Sequence, residues 1–161
     1  MIPSRHFLRS LIFPLLLSLA SPTLLAGPAA PEGLLTPSPD IKVNGSDGPV
    51  NILNPLTPVS ITISLNPGSR LGQKSDLFGI GEMVIDGTSF YISAVYPDRL
   101  EVGQAPYLTL PLIPIPETEV YNGLLPPGHW FLHFGIDDNA DGIVDWRWFD
   151  TVEVIIGPIQ Q

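Results

Sequence analysis

Apolar and polar residues alternate with a period of two along most of the chain after residue 40, and no stripe of helical period stands out. The clearest case is residues 59–65, Val-Ser-Ile-Thr-Ile-Ser-Leu, in which every second residue is apolar. Because successive side chains of a strand point to opposite faces, the four apolar residues are predicted to face a core. The two serines and the threonine are predicted to face water.

Turn-forming residues divide the rest of this region into further strands. Residues 41–43, 77–85 and 90–96 are predicted strands, and Asp86-Gly87 between the last two is a dipeptide favoured in hairpins. Residues 97–116 contain five prolines, each of which removes a backbone donor. This segment is therefore predicted to form an edge strand or a long crossover rather than a central strand.

The last third of the chain predicts a terminal β-hairpin. Two alternating segments, 129–134 and 151–156, flank an acidic loop. In the first, the residues at 130, 132 and 134 are expected to face the core, and His129 and His133 to face solvent. With a short strand at 117–121, residues 40–158 are predicted to form an all-β domain, an antiparallel immunoglobulin-like β-sandwich of about seven strands.

The first 26 residues have the features of a secretory signal peptide. Arg5 and Arg9 precede an apolar run at 11–19, and small residues follow, with cleavage expected after Ala26 or, as an alternative, after Ala20. An uncleaved membrane anchor is the other interpretation, but the run is short for a membrane span and contains a proline. The protein is expected to be secreted or periplasmic, without a membrane span after signal cleavage.

A proline-rich linker is predicted at residues 27–39. Proline fixes φ and removes donors, so extended chain is expected here, either as a stalk or as a disordered N-terminus. The two segments preceding residue 40 are thus not counted as part of the folded domain.

Composition narrows the possible partners and the means of stabilisation. The chain has no cysteine, which excludes a disulfide framework. Without the signal peptide, five basic side chains remain against sixteen acidic ones, a net charge of −11. Nucleic acid is therefore excluded as an expected partner, since phosphate binding needs clustered Lys and Arg. Divalent cations suit this acidity better.

The acidic loop is the strongest chemical signal. Residues 137–145 are D-x-N-x-D-G-x-x-D, which places oxygen donors at alternate positions and glycine at the sixth. Ca²⁺ takes six to eight oxygen ligands, and such a loop can direct several inward. The predicted structural Ca²⁺ site consists of the side chains of Asp137, Asn139, Asp141 and Asp145 and the backbone carbonyl of Ile143.

This loop departs from an EF-hand. Its twelfth position is Trp148, where a bidentate glutamate is required, and β sequence follows instead of a helix. Asp138 or Asp150 is the nearest candidate to add a ligand. The alternative is an ordinary acidic turn, because Asp, Asn and Gly all favour turns. Like charges about 5 Å apart repel by roughly 1 kcal/mol per pair even near water, which favours the metal interpretation.

A family resemblance rests on several turn motifs taken together. These are N-G-S-D-G-P at 44–49, S-L-x-P-G at 64–68, G-L-L-P-P-G-H-W-F at 123–131 and F-G-x-D-x-N-x-x-G at 134–142. In this order the chain resembles secreted bacterial immunoglobulin-like or fibronectin-type-III-like β-sandwich modules. The resemblance implies a sandwich fold, export, and an accessory or surface role without known catalysis.

Two positions depart from the family pattern. Relatives often carry tryptophans where this chain has Leu77-Phe78, so any use of those aromatics in binding is in doubt. Trp130 stands where a tyrosine is usual, so the hydroxyl hydrogen bond of a tyrosine corner is expected to be lost.

Catalytic arrangements are not apparent. His129 and His133 are about 13 Å apart on a strand, too far to share a metal. There is no cysteine and no G-x-S-x-G motif. Glu82, Glu117 and Glu119 are the acidic side chains considered for glycoside hydrolysis, although the sequence does not show their separation.

The tryptophans beside the loop have two interpretations. Trp146-Arg147-Trp148 could stack on sugar rings or a partner, or the tryptophans could close the end of the sandwich, which is preferred. The expected function is that of a non-catalytic accessory module that binds or adheres to an unknown protein or carbohydrate. The alternatives are a small extracellular enzyme acting on polysaccharide and a structural component of a surface assembly.

Overall fold

The computed structural model describes residues 36–97 and 99–158 of the 161-residue chain. The predicted signal peptide, 1–26, and residues 27–35 of the predicted linker lie outside the described residues. Within the described ranges, no helix has the length and apolar character needed to cross a membrane.

Ten strands and one short 3-10 turn account for the regular structure of the described residues. The turn is Gly68–Arg70. The strands are β1 Ser38–Val43, β2 Val50–Ile52, β3 Val59–Asn66, β4 Lys74–Ile85, β5 Thr88–Val95, β6 Arg99–Val102, β7 Leu108–Pro111, β8 Ile115–Gly123, β9 Gly128–Asp137 and β10 Trp148–Ile156.

The strands form two sheets, which confirms the all-β sandwich. The small sheet has the order β1-β3-β8 and is antiparallel throughout. The large sheet has the order β2-β10-β9-β4-β5-β6, and β7 joins it by pairing with the first residues of β4. The small sheet lies over part of the large one, with β1 against β9 and β10.

The core lies between the two sheets and is apolar. Three of the four residues predicted to face it from 59–65 are buried, and the fourth, Ile61, is half-buried against the core. This departure follows from a register shift, because the pairing of β3 with β8 is irregular after Ile61. On β9, the predicted inward residues Trp130, Leu132 and Phe134 are all buried.

Strand number and direction differ from the expectation of about seven antiparallel strands. β2 belongs to the large sheet, where it pairs in parallel with β10. The proline-rich segment 97–116 contains β6, which is an edge strand, and β7, which pairs with β4. Short segments of three or four residues are too brief for alternation to reveal them.

Two local predictions are resolved by backbone geometry and hydrogen bonding. Asp86 and Gly87 both have positive φ, 49° and 75°, and connect β4 to β5 as the hairpin prediction required. The indole N–H of Trp130 donates to the carbonyl of Pro126 over 3.0 Å. The hydrogen bond of a tyrosine hydroxyl to the backbone was expected to be lost at this position. The indole of Trp130 makes a hydrogen bond to the backbone in its place.

The large sheet is also covered on the side turned away from the small sheet, here called the outer face. Residues paired across a ladder share a face, so Phe78, Gly135 and Phe149 lie in one outer row. Phe78 is fully buried, and its ring centroid is 6.0 Å from that of Phe149. A second apolar cluster therefore stabilises the sheet from outside.

Gly135 makes this outer row possible, and its replacement gives a test. A Cβ at Gly135 would lie 2.3 Å from the carbonyl oxygen of Trp148 and 2.5 Å from Cγ of Phe149. We expect Gly135→Ala to lower the free energy of unfolding by about 1–3 kcal/mol, as overpacking does. Urea denaturation measures this change.

The matched control is Gly48→Ala. A Cβ there meets only the Ser46 hydroxyl, at 3.9 Å. Its effect should stay within about 0.5 kcal/mol, as for other surface substitutions. Equal stability of the two variants would show that the aromatic row over Gly135 is looser than described.

Candidate metal centre

Two aspartates face each other where β4 begins and β9 ends. Asp76 and Asp137 are directly paired across the ladder, and both belong to the outer face. Their exposed fractions are 1% and 0%. Like charges in directly opposed positions destabilise a sheet, and burial adds the cost of removing each carboxylate from water. This pair therefore calls for neutralisation.

Hydrogen bonds satisfy Asp76 but not Asp137. Asp76 accepts the Thr109 hydroxyl on one oxygen and the Gly142 backbone N–H, at 2.8 Å, on the other. Asp137 accepts the Asn139 N–H at 3.1 Å through Oδ1. Its Oδ2 is buried and has no hydrogen-bond partner. An unsatisfied buried carboxylate oxygen is energetically costly, and this oxygen is available to a further ligand.

The charge state of Asp137 reflects the same imbalance. Burial raises the pKa of Asp137, the Asn139 N–H lowers it in part, and the negative charges of Asp145, Asp141 and Asp76 raise it further. Each of these effects other than the backbone hydrogen bond disfavours the ionised carboxylate. A bound cation would reverse that preference.

Three carboxylates converge at this point. One oxygen from each of Asp137, Asp138 and Asp145 lies within 4.8 Å of the others. Ca²⁺–oxygen distances of 2.3–2.6 Å allow ligand oxygens to be separated by such a distance across the ion. Among the described residues, no Lys or Arg forms an ion pair with Asp137 or Asp145.

The connection between β3 and β4 supports this cluster from one side. Arg70 forms an ion pair with Asp138, with 2.9 Å between Nη2 and Oδ2. The Gln73 side-chain amide donates to the Asp138 carbonyl at 2.6 Å and accepts from Arg70 Nη1 at 3.1 Å. These contacts fix the backbone of Asp138 and neutralise part of its charge.

The other predicted ligands lie further out along the loop. The Asn139 side chain accepts the Asp141 N–H at 3.0 Å, and the Asp141 side chain accepts the Ile143 N–H at 2.8 Å. All three residues are exposed. The structure thus brings Asp137 and Asp145 together from the predicted set, and Asp138, one of the two candidates for a further ligand, joins them. Asn139, Asp141 and Ile143 form the outer part of the loop, where their hydrogen bonds stabilise the turn.

Sequence spacing could not reveal Asp76, which is 61 residues away from Asp137 along the chain. Only the pairing of β4 with β9 places it beside the loop. A signal was nonetheless present, because an aspartate directly preceding the apolar Leu77-Phe78 is unusual at the start of a buried strand.

The prediction that His133 faces solvent was wrong. His133 does point to the outer face, but only 8% of it is exposed. Its Nδ1 contacts the Thr151 hydroxyl at 2.8 Å, and its Nε2 contacts Glu82 at 3.2 Å. Burial lowers the pKa of His133, and the hydrogen bond and charge of Glu82 offset part of this effect.

Trp146 is the side chain that covers His133. Their ring centroids are 5.0 Å apart in an edge-on arrangement, and Trp146 lies 4.8 Å from Phe149. The preference for closure of the sandwich end fits Trp148, which packs against the core beneath Arg147. Trp146 instead lies on the outer face and remains 41% exposed.

The acidic side chains considered for glycoside hydrolysis belong to different sheets. Glu82 lies on β4 and interacts with His133 and the Ser89 hydroxyl. Glu117 and Glu119 lie on β8 of the small sheet, where Glu119 accepts the Ser60 hydroxyl at 2.6 Å. Hydrogen bonding and sheet assignment thus give each a local structural partner or an exposed position.

In comparisons with known proteins, neither a family model nor a curated protein sequence matches the chain.

The lowered pKa of His133 predicts a pH dependence of stability. As pH falls below the ordinary histidine pKa of about 6.5, the unfolded chain takes up a proton before the folded one does. The stability that the buried neutral imidazole of His133 contributes is therefore fully present above about pH 6.5. It is lost as the pH falls toward the lowered pKa that His133 has in the folded protein. Urea denaturation with chelator present, from about pH 7 to pH 5, measures it.

His133→Gln is the matched variant for this measurement. It keeps a side chain able to hydrogen-bond to Thr151 but cannot titrate. Its unfolding free energy should fall less over the same pH range. A steeper fall in the variant would mean that the pKa of His133 is set mainly by Glu82, which raises it, and not by burial, which lowers it.

Proposed function

We propose that the protein is an exported, non-catalytic immunoglobulin-like module that holds a structural Ca²⁺ ion at its terminal hairpin and serves as an accessory binding or adhesion domain. The observation that carries this proposal is the orphaned, buried Oδ2 of Asp137 beside Asp138 and Asp145. A divalent cation would satisfy that oxygen and neutralise the opposed Asp76–Asp137 pair.

Strand order supports the immunoglobulin-like assignment. The small sheet, β1-β3-β8, corresponds to strands A, B and E, and the large sheet contains β10-β9-β4-β5, corresponding to G, F, C and C′. The Trp130–Pro126 hydrogen bond occupies the place of a tyrosine corner. With the turn motifs quoted above, these features support membership of the secreted module group.

Calcium is the cation proposed because the donor set is made of hard oxygen ligands. Its affinity is expected to be weak, on the order of 10⁻⁴ to 10⁻³ M, as in extracellular modules. An exported domain without disulfides gains from such an ion. At a tenfold excess over the dissociation constant, binding adds about 1.4 kcal/mol to the unfolding free energy.

A structural role in a surface assembly is a second candidate, favoured by the edge strand β8. It spans nine residues and pairs only with β3 among the described strands. An edge of this length offers unpaired backbone groups to a further strand. Self-association that increases with protein concentration would support this alternative if Val120→Pro abolishes it. The variant monomer should still unfold cooperatively.

Thermal unfolding in calcium and in chelator tests the proposed metal site. We expect calcium to raise the melting temperature by several degrees, because only the folded chain holds the carboxylates together. Magnesium should have a smaller effect, because it demands a tighter octahedral shell. Identical melting curves in calcium and chelator would contradict the proposal.

Asp137→Asn should change the stability of the protein in opposite directions in chelator and in calcium. In chelator, the variant is expected to be more stable than the wild type by on the order of 1 kcal/mol, because a buried like charge is removed. In calcium it should be less stable and should show no calcium response. Glu117→Gln removes an exposed charge on β8 and serves as the control, with wild-type calcium dependence expected.

A further inference from the structure

Trp146 is adjacent in sequence to a residue of the proposed ion site. Asp145 directly precedes Trp146, so their Cα atoms are about 3.8 Å apart. The Asp145 side chain accepts the Arg147 N–H at 2.9 Å, which fixes the turn through Trp146. Trp146 has a backbone φ of 58°, a conformation that residues other than glycine rarely adopt. The turn therefore fixes Trp146 directly after a residue whose carboxylate belongs to the cluster.

One side of this arrangement is protein and the other is solvent. Trp146 contacts His133 and Phe149 but is 41% exposed. Within the cluster, Asp137 is buried whereas Asp145 is exposed. An ion held between these two carboxylates would consequently have protein on one side and open positions on the other.

The ligand count leaves room in the coordination shell. Ca²⁺ takes six to eight oxygens, and Asp137, Asp138 and Asp145 supply three carboxylates, of which Asp138 is shared with Arg70. The remaining positions fall to water or to the oxygens of a ligand. A pair of neighbouring hydroxyl groups can replace two such waters.

Charge selects among oxygen-bearing ligands. Five aspartates, at 76, 137, 138, 141 and 145, lie in or beside the loop. Of the two nearby arginines, Arg70 is paired with Asp138 and Arg147 lies over the Trp148 ring, so the negative charges outnumber the positive ones. An anionic ligand would be repelled by this surface. A neutral sugar meets both requirements, because its hydroxyls suit the ion and its apolar ring face suits an exposed indole.

We propose that the calcium-loaded loop binds a neutral carbohydrate, with two vicinal hydroxyls on the ion and one ring face against Trp146. This inference rests on the proposed calcium site and assigns its ligand class. Trp146 is the residue that determines binding of the ring, and Asp137 acts only through the ion.

A neutral and anionic glycan array, probed with the purified protein in calcium and in chelator, tests this proposal. The protein is presented as a multivalent cluster on a carrier, because several linked sites compensate for weak single contacts. We expect retention of neutral glycans in calcium, release by chelator, and no retention of heparin. Trp146→Ala should lower apparent glycan affinity about tenfold, the scale of one aromatic contact, while calorimetry shows unchanged Ca²⁺ binding.

Two further variants keep the test decisive. Trp146→Phe replaces Trp146→Ala in the test if the alanine variant does not fold. It preserves a ring over His133 and should bind glycan with intermediate affinity. Phe90→Ala removes another exposed aromatic, on β5, and should bind like the wild type.

The outcomes separate this inference from the proposed function. Calcium binding without retention of any neutral glycan, or with equal retention by wild type and Trp146→Ala, would overturn the carbohydrate site and leave the structural ion in place. Failure to bind calcium in calorimetry would overturn both.

Discussion

The register between β4 and β9 places two buried carboxylates opposite each other, and the surrounding structure has to accommodate their charge. Asp76 is satisfied by Thr109 and by the loop backbone at Gly142, but Asp137 retains an unpartnered oxygen. Removing an ionised carboxylate from water costs several kcal/mol unless it is paired or protonated. A proton or a bound cation would relieve this cost at the end of the large sheet.

This constraint links the loop to the outer face. The loop joins the end of β9 to the start of β10, and near its end Trp146 lies against His133 and Phe149. That cover buries an imidazole and an aromatic row for which the small sheet provides no contact. In a chain without cysteines, a cation that stabilises the loop would stabilise this second apolar layer as well.

Period-two alternation was sufficient to predict the sandwich, its long strands and the terminal hairpin, because core-facing positions such as Leu132 follow the pleat. It could not predict the parallel pairing of β2, whose three residues carry no period, or the burial of His133, which depends on a loop folding back. The D-x-N-x-D-G-x-x-D motif located the candidate site. Asp76 escaped because its proximity is set by strand pairing and not by spacing.

A crystal structure of the purified protein grown in calcium, with anomalous scattering data to identify the ion, is the most direct test of the claim that a cation completes the Asp76–Asp137 pair. The account predicts one ion with ligand distances of about 2.3–2.6 Å to carboxylate oxygens of Asp137 and Asp145. An ion-free site at neutral pH and saturating calcium would contradict it.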